Sequence, residues 1–198
     1  MVSDIELVNS AKKGDHAAFT QLATKYKGTV FNIIYYITRG NEAADDIAQE
    51  VFLKVYFSLH QFRGISLFST WLYRITVNEC LDEMKKRKYK IVSIEDPVFE
   101  NNQGAIKDLL ESREESAEKQ LLDKETREFV RRLIISLPDK YRLIITLRDL
   151  EDLSYTEISG IMNISLDKVK VWLFRARQKL REKIDLSKEV VGNELPSI

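Results

Sequence analysis

Apolar residues recur along this chain at helical spacing, interrupted by short polar breaks. Ile5, Val8 and Leu7 predict a short helix over 4–13, stopped by Gly14 at a position that favours glycine. Phe19, Leu22, Tyr26, Val30, Ile33, Ile34 and Ile37 keep the i, i+3, i+4 rhythm of a longer helix running to about Thr38, with Asp15 able to cap it. Ile47, Val51, Val55 and Leu59 edge a third helix from Glu42, and Leu72, Ile75, Val77, Leu81 and Met84 a fourth over 69–88. Between 91 and 116 the rhythm fails around Pro97 and Gly104, which reads as a flexible linker. Helices resume over 117–136 and from Pro138 to about Leu150, and residues after about Asp185 read as a loose tail.

The pattern is sharpest from Leu153 to Ile184. Ser154 and Glu157 form an S-x-x-E capping box that starts a short helix carrying Tyr155, Ile158, Ile161 and Met162. Asn163 tolerates the turn that stops it, and Ser165 opens a second, longer helix. Two helices joined so tightly make a helix-turn-helix, whose second helix is the one that enters a DNA major groove. Val169, Leu173, Ala176, Leu180 and Ile184 share its inward stripe, while Lys170, Val171, Phe174, Arg175, Gln178 and Arg181 gather opposite. Residues 168–183 hold seven Lys or Arg against one acid, Glu182. Cations suit phosphate, and Phe174 or Val171 suits a thymine methyl. A solvated charged helix is the plainer alternative for a basic run, but the capped two-helix unit favours DNA.

The fold class that follows is all-α, two small helical domains joined by a flexible acidic linker: residues 1–92, a linker over 93–116, the helix-turn-helix domain over 117–185 and a tail over 186–198. With 31 basic and 31 acidic side chains the formal net charge is zero, so the chain is no polycation. The charges are unevenly placed: 13 basic and 11 acidic over 1–95, 5 and 10 over 96–128, 13 and 10 over 129–198. One cysteine, Cys80, excludes an internal disulfide framework and fits a reducing cytoplasm. No apolar run long enough to span a bilayer and no signal-peptide pattern stands out.

Two further stretches carry candidate chemistry. Asp45, Asp46, Gln49 and Glu50 crowd the first half of the third helix, with Phe52 and Tyr56 beside its apolar edge. Acids complement the dipole of a helix start, or they dock a basic partner, and the residues alone leave the two readings level. Trp71, Arg74, Asn78, Asp82 and Lys85 share one stripe of the fourth helix, behind a connector holding Phe62, Arg63 and Phe68. Such a stripe can hold unstacked bases and phosphates, although on the residues alone core aromatics and a solvated helix end are the better explanation.

In order along the chain, ADDIAQEVFLKVY (44–56), FRGISLFSTWLYRITVNECLDEMKKRK (62–88) and SLPDKYRLIITLRDLEDLSYTEISGIMNISLDKVKVWLFRARQKL (136–180) resemble the sigma factors of the extracytoplasmic-function (ECF, group 4) family. The resemblance covers about Glu6 to Ile184. It implies that the acidic helix docks on the β′ clamp helices of core RNA polymerase through Asp46, Gln49, Glu50 and Phe52. It implies that Phe62 to Phe68 form a loop capturing a flipped base of the −10 strand, with Trp71, Arg74, Asn78, Asp82 and Lys85 on the reading helix. Bases are read on their Watson–Crick edge only once out of the stack, which fits a melting module.

For the −35 duplex the resemblance implies Ser165, Lys168, Lys170, Val171, Phe174, Arg175 and Arg177; of these, Lys170, Arg175 and Arg177 match the family. Val171-Trp172 stand where Ser-Arg is common and Phe174 where His is common, so the −35 preference is expected to differ from that of well-known members. Implied partners are core RNA polymerase (β′ clamp helices and β flap), promoter DNA and an anti-sigma factor, with no cofactor, metal, small-molecule substrate or catalytic residue. A stand-alone helix-turn-helix regulator is the second reading, distinguished by dimerisation and a palindromic site. An enzyme is a distant third: His16 and His60 have no neighbouring ligands at useful spacing, no phosphate loop appears, and Cys80 sits mid-helix.

Overall fold

The computed structural model describes residues 2–40, 44–92 and 117–192, with the side chains of 87–92, 117–125 and 188–192 excepted. The linker expected over 93–116, the start of the third helix at 42–43 and the last six residues lie outside that description. Everything described is helix, turn or loop.

Helix α1 (Asp4–Lys12) starts at a capping box: the Glu6 amide donates to Ser3 Oγ at 3.3 Å and the Ser3 amide to Glu6 Oε2 at 2.8 Å. Leu7 and Val8 face inward, but Ile5 is 66% exposed, contrary to the pattern's expectation. The face is set by Asp4, whose carboxylate takes Lys25 and the Tyr26 hydroxyl from the next helix and so turns Ile5 away. Helix α2 (His16–Thr38) is capped by Asp15, which accepts from the Ala17 and Ala18 amides. It ends at Arg39, in the left-handed region at φ 64°, followed by Gly40 at φ 73°. All seven of its expected apolar positions except Phe19 are buried.

Helix α3 (Ala44–Ser58) packs Ile47, Ala48, Val51 and Val55 against α2 and against α4 (Phe68–Val92). A single 3₁₀ turn, Leu59–Gln61, leads from α3 into the connector. The C-terminal half holds α5 (Ala117–Ile135), α6 (Asp139–Ile145), a π turn (Thr146–Leu150), α7 (Tyr155–Met162) and α8 (Leu166–Gly192). The expected helix from Pro138 to Leu150 is present, but its last part widens into the π turn, where the Glu151 amide bonds the Thr146 carbonyl. Residues 186–192, expected as loose tail, continue α8.

The two helical units pack on each other. Arg142 of α6 donates to the Ile37 carbonyl, Arg39 pairs with Asp139 at 3.3 Å, and the Arg131 guanidinium lies 5.4 Å from the Tyr35 ring centroid. Gly160 of α7 lies so near α4 that a Cβ there would sit 3.9 Å from Thr70 Cγ2. A continuous apolar core runs through both units, from Leu22 and Val30 to Leu147, Ile158 and Leu173.

Candidate nucleic-acid interface

The helix-turn-helix is built by local bonds. The Glu157 amide donates to Ser154 Oγ at 3.2 Å and the Ser154 amide to Glu157 Oε2 at 2.8 Å. Asn163 takes the left-handed conformation at φ 52°, and Ser159 Oγ donates to the Ile164 carbonyl at 2.6 Å, tying the turn to α7. Ser165 Oγ accepts the Lys168 amide at 3.3 Å, so Ser165, itself exposed, caps α8. Val169, Leu173 and Ala176 are buried, which fixes the outward face.

That face carries Lys168, Lys170, Val171, Phe174, Arg175 and Gln178, all exposed. Several polar groups on it are engaged within the chain: Lys170 with Asp167 at 3.6 Å, and Gln178 with Glu182 at 3.2 Å. Arg177 is held by Asp149, its Nε donating at 3.1 Å and its Nη2 closer still, which also lifts its pKa. Trp172 is half-buried between Lys140 and Lys168, whose ammonium groups lie 5.4 and 5.7 Å from its ring centroid. It therefore stands on the flank, not beside Val171 on the outward face.

On α4 the structure divides the expected stripe. Phe62 and Phe68 are buried and form an aromatic cluster with half-buried Trp71, the centroids 5.3–6.0 Å apart. Burial withdraws both phenylalanines from direct contact with a base; they make the floor of the loop, whose residues from Arg63 to Leu67 are all exposed. Lys12 Nζ donates to the Phe62 carbonyl at 2.5 Å, anchoring the loop to α1. Arg74 and Asn78 are exposed and line a groove of about 610 Å³, walled opposite by Lys140, Met162, Asn163 and Trp172. Asp82 and Lys85, also exposed, pair with each other at 3.0 Å.

The acidic helix α3 presents Asp46, Gln49 and Glu50 to solvent, with Phe52 half-buried. Gln49 and Phe52 line a shallow groove of about 370 Å³ against Phe19, Ala23 and Phe31 of α2. Sequence reading missed Leu53 (44% exposed) and Phe57 (71%), which follow Asp46 at i+7 and i+11 and extend its stripe with apolar surface. The signal was in the spacing from Asp46. Ile65, Leu67 and Leu166 are also exposed apolar residues that the sequence pattern did not single out.

Among the described residues no three His, Cys, Asp or Glu side chains cluster to hold a metal. Cys80 is fully buried, and burial pushes its thiol up to about 12. His16 stacks on Tyr56, its Nδ1 3.2 Å from the Tyr56 hydroxyl. No described helix is long and apolar enough to cross a membrane.

Two family models match the chain, Sigma-70 region 2 over residues 22–89 and Sigma-70, region 4 over residues 128–180. It is 36% identical over 189 residues to the ECF RNA polymerase sigma-E factor of Escherichia coli, a match covering 92% of this chain and 95% of that one. It is 35% identical to the RNA polymerase sigma-H factor of Pseudomonas aeruginosa, over 89% of this chain and 91% of that one. In fold it is similar to CnrH, solved in complex with the cytosolic domain of CnrY, with a TM-score of 0.66 and 21% identity over 92% of this chain and 97% of that one. With both family models matching in order and relatives at 35–36% identity over most of their length, the chain belongs to the sigma-70 family as an ECF sigma factor, a non-enzymatic subunit that directs promoter-specific transcription initiation.

Proposed function

We propose a division of labour between the two helical units. The module over 1–92 docks core RNA polymerase on its β′ clamp helices through Asp46, Gln49, Glu50 and Phe52, and it melts and captures the −10 strand. Arg63 on the loop and Arg74, Asn78 and Lys85 on α4 hold the strand, over a floor of Phe62, Phe68 and Trp71. The module over 117–185 sets α8 in the major groove of the −35 duplex, with the linker over 93–116 between them. Lys168, Lys170 and Arg175 anchor phosphates; Arg177 reaches DNA only by leaving Asp149. The observation that carries this reading is the outward face of α8: cations around exposed Val171 and Phe174, over a helix-turn-helix capped at both helices.

No bond is made or broken by the protein. Strand opening draws on binding energy, because each base flipped from an A·T-rich step costs only a few kcal/mol. A subunit acting on core polymerase works in the cytoplasm. An anti-sigma factor is the expected regulatory partner, since the related CnrH is solved bound to the cytosolic domain of CnrY. The test separates the modules: Asn78→Ala impairs permanganate-detected melting while leaving protection of the −35 duplex, and Lys170→Ala with Arg175→Ala does the reverse. Normal melting by the Asn78 variant counts against the assignment of α4.

A further inference from the structure

The outward face of α8 is unusual in what it leaves exposed. Phe174 is 71% exposed, Val171 45% and Leu166 44%. Phe174 follows Val171 by three residues, so the two lie side by side on the helix. Around them stand Lys168, Lys170, Arg175 and Arg181. An apolar pair inside a cationic rim is complementary to one surface in particular, the major groove of duplex DNA, with phosphates at its edges and thymine C5-methyl groups in its floor.

The polar chemistry nearby leaves room for an apolar contribution. Reading guanine takes a bidentate Arg or Lys, and reading adenine takes Asn or Gln. In the first two turns of α8 the only such side chains are Lys168, beside Trp172, and Lys170, paired with Asp167. Exposed ion pairs of this kind are weak and yield easily to phosphate. Val171 and Phe174 are the apolar side chains beside them, and Arg175 and Gln178 are exposed further along the same face.

Resting on the reading of α8 as the −35 helix, we propose that Val171 and Phe174 determine −35 specificity by packing on thymine methyl groups. The C5-methyl is then the group these two side chains recognise, beside any hydrogen bonds that Arg175 and Gln178 make to base edges. Removing one contacted methyl lowers affinity about three- to five-fold, the value of one buried methyl-sized group.

The experiment uses the holoenzyme formed with core RNA polymerase. A −35 element is selected from randomised duplex, and each of its thymines is then replaced singly by uracil, which removes the methyl and nothing else. Loss of about three- to five-fold at one or more thymines is expected with the wild-type chain. The thymine-to-uracil ratio falls to about one with Phe174→Ala or Val171→Ala and is retained by Phe174→Leu. Both side chains are exposed, so unchanged thermal melting confirms that the variants fold. Equal binding of thymine and uracil at every position, with the −35 footprint intact, overturns the inference and leaves the reading of α8 standing. Absence of any upstream duplex protection overturns that reading itself.

Discussion

The Nη2 group of Arg142 donates a 2.8 Å hydrogen bond to the backbone carbonyl of Ile37, 105 residues earlier in the chain. Ile37 lies in the last turn of α2, where helix carbonyls lack intrahelical donors, and Arg142 supplies one from the other helical unit. The same fully buried guanidinium serves Leu137 O and Asp139 Oδ1 at 2.8 Å each and Ile135 O at 3.3 Å, while its Nε finds no partner. One planar fork therefore closes the loop between α5 and α6 and pins that loop to α2.

Arg142→Met is expected to destabilise the chain by about 3 kcal/mol, because it strands several carbonyls that the side chain now satisfies. Urea unfolding measures the loss. Arg142→Lys should recover little of it, since an ammonium cannot span four acceptors in one plane. Full recovery by lysine would show that charge alone, not the fork, matters.

Glu151 makes a second, opposite contribution. It follows the π turn, is largely buried beside α2, and has a carboxyl pushed up by burial, with hydrogen bonds from Thr29 and Asn32 pulling the other way. Tyr73, itself pushed up to about 12, also faces it. A carboxyl whose folded pKa exceeds its unfolded one binds protons more readily in the folded state, so stability falls as pH rises through that window. Glu151→Gln should therefore raise stability at neutral pH, with the gain disappearing below about pH 4, where both states are protonated. Denaturation of both chains across pH 3–8 gives the comparison.

The cap of α7 is a smaller and cleaner test. Ser154→Ala removes the acceptor for the Glu157 amide and the anchor for the Glu157 carboxylate, at a cost of about 1 kcal/mol. Asn163→Gly, at φ 52°, should cost nothing or stabilise slightly. Thermal melting that moved equally for both would mean the turn is not set by these bonds.

On α3 the exposed acids and the exposed apolar pair should act together. Glu50→Lys, or Leu53→Ser with Phe57→Ser, is expected to weaken association with core polymerase by about tenfold while leaving thermal melting unchanged. Titration of labelled chain with core polymerase reads the affinity. Unaltered binding by the serine pair would confine docking to the acidic half of the helix.

Much of this molecule is legible in its sequence because local chemistry sets it. The cap at Ser154, the turn at Asn163 and the inward row Val169, Leu173, Ala176 depend only on neighbours a few residues away. Ile5 misled because Asp4, reaching Lys25 and Tyr26, decides which face of α1 turns in, and that contact crosses to another helix. The buried Arg142, the π turn and the packing of α7 on α4 are equally non-local, and no periodicity announces them. At the candidate sites, the sequence pattern marks which positions share a helix face but not how individual side chains are engaged. Phe62 and Phe68 became floor, Arg177 was bound to Asp149, and Trp172 lay between two lysines.

The most direct test of the central claim is run-off transcription from a library of promoter-bearing fragments by core RNA polymerase, with and without the protein. The account predicts start sites that appear only when the chain is added, each preceded by a shared −35 and −10 element. A pattern of transcripts identical in both reactions, with the protein failing to co-migrate with core polymerase, would contradict it and favour a stand-alone helix-turn-helix regulator.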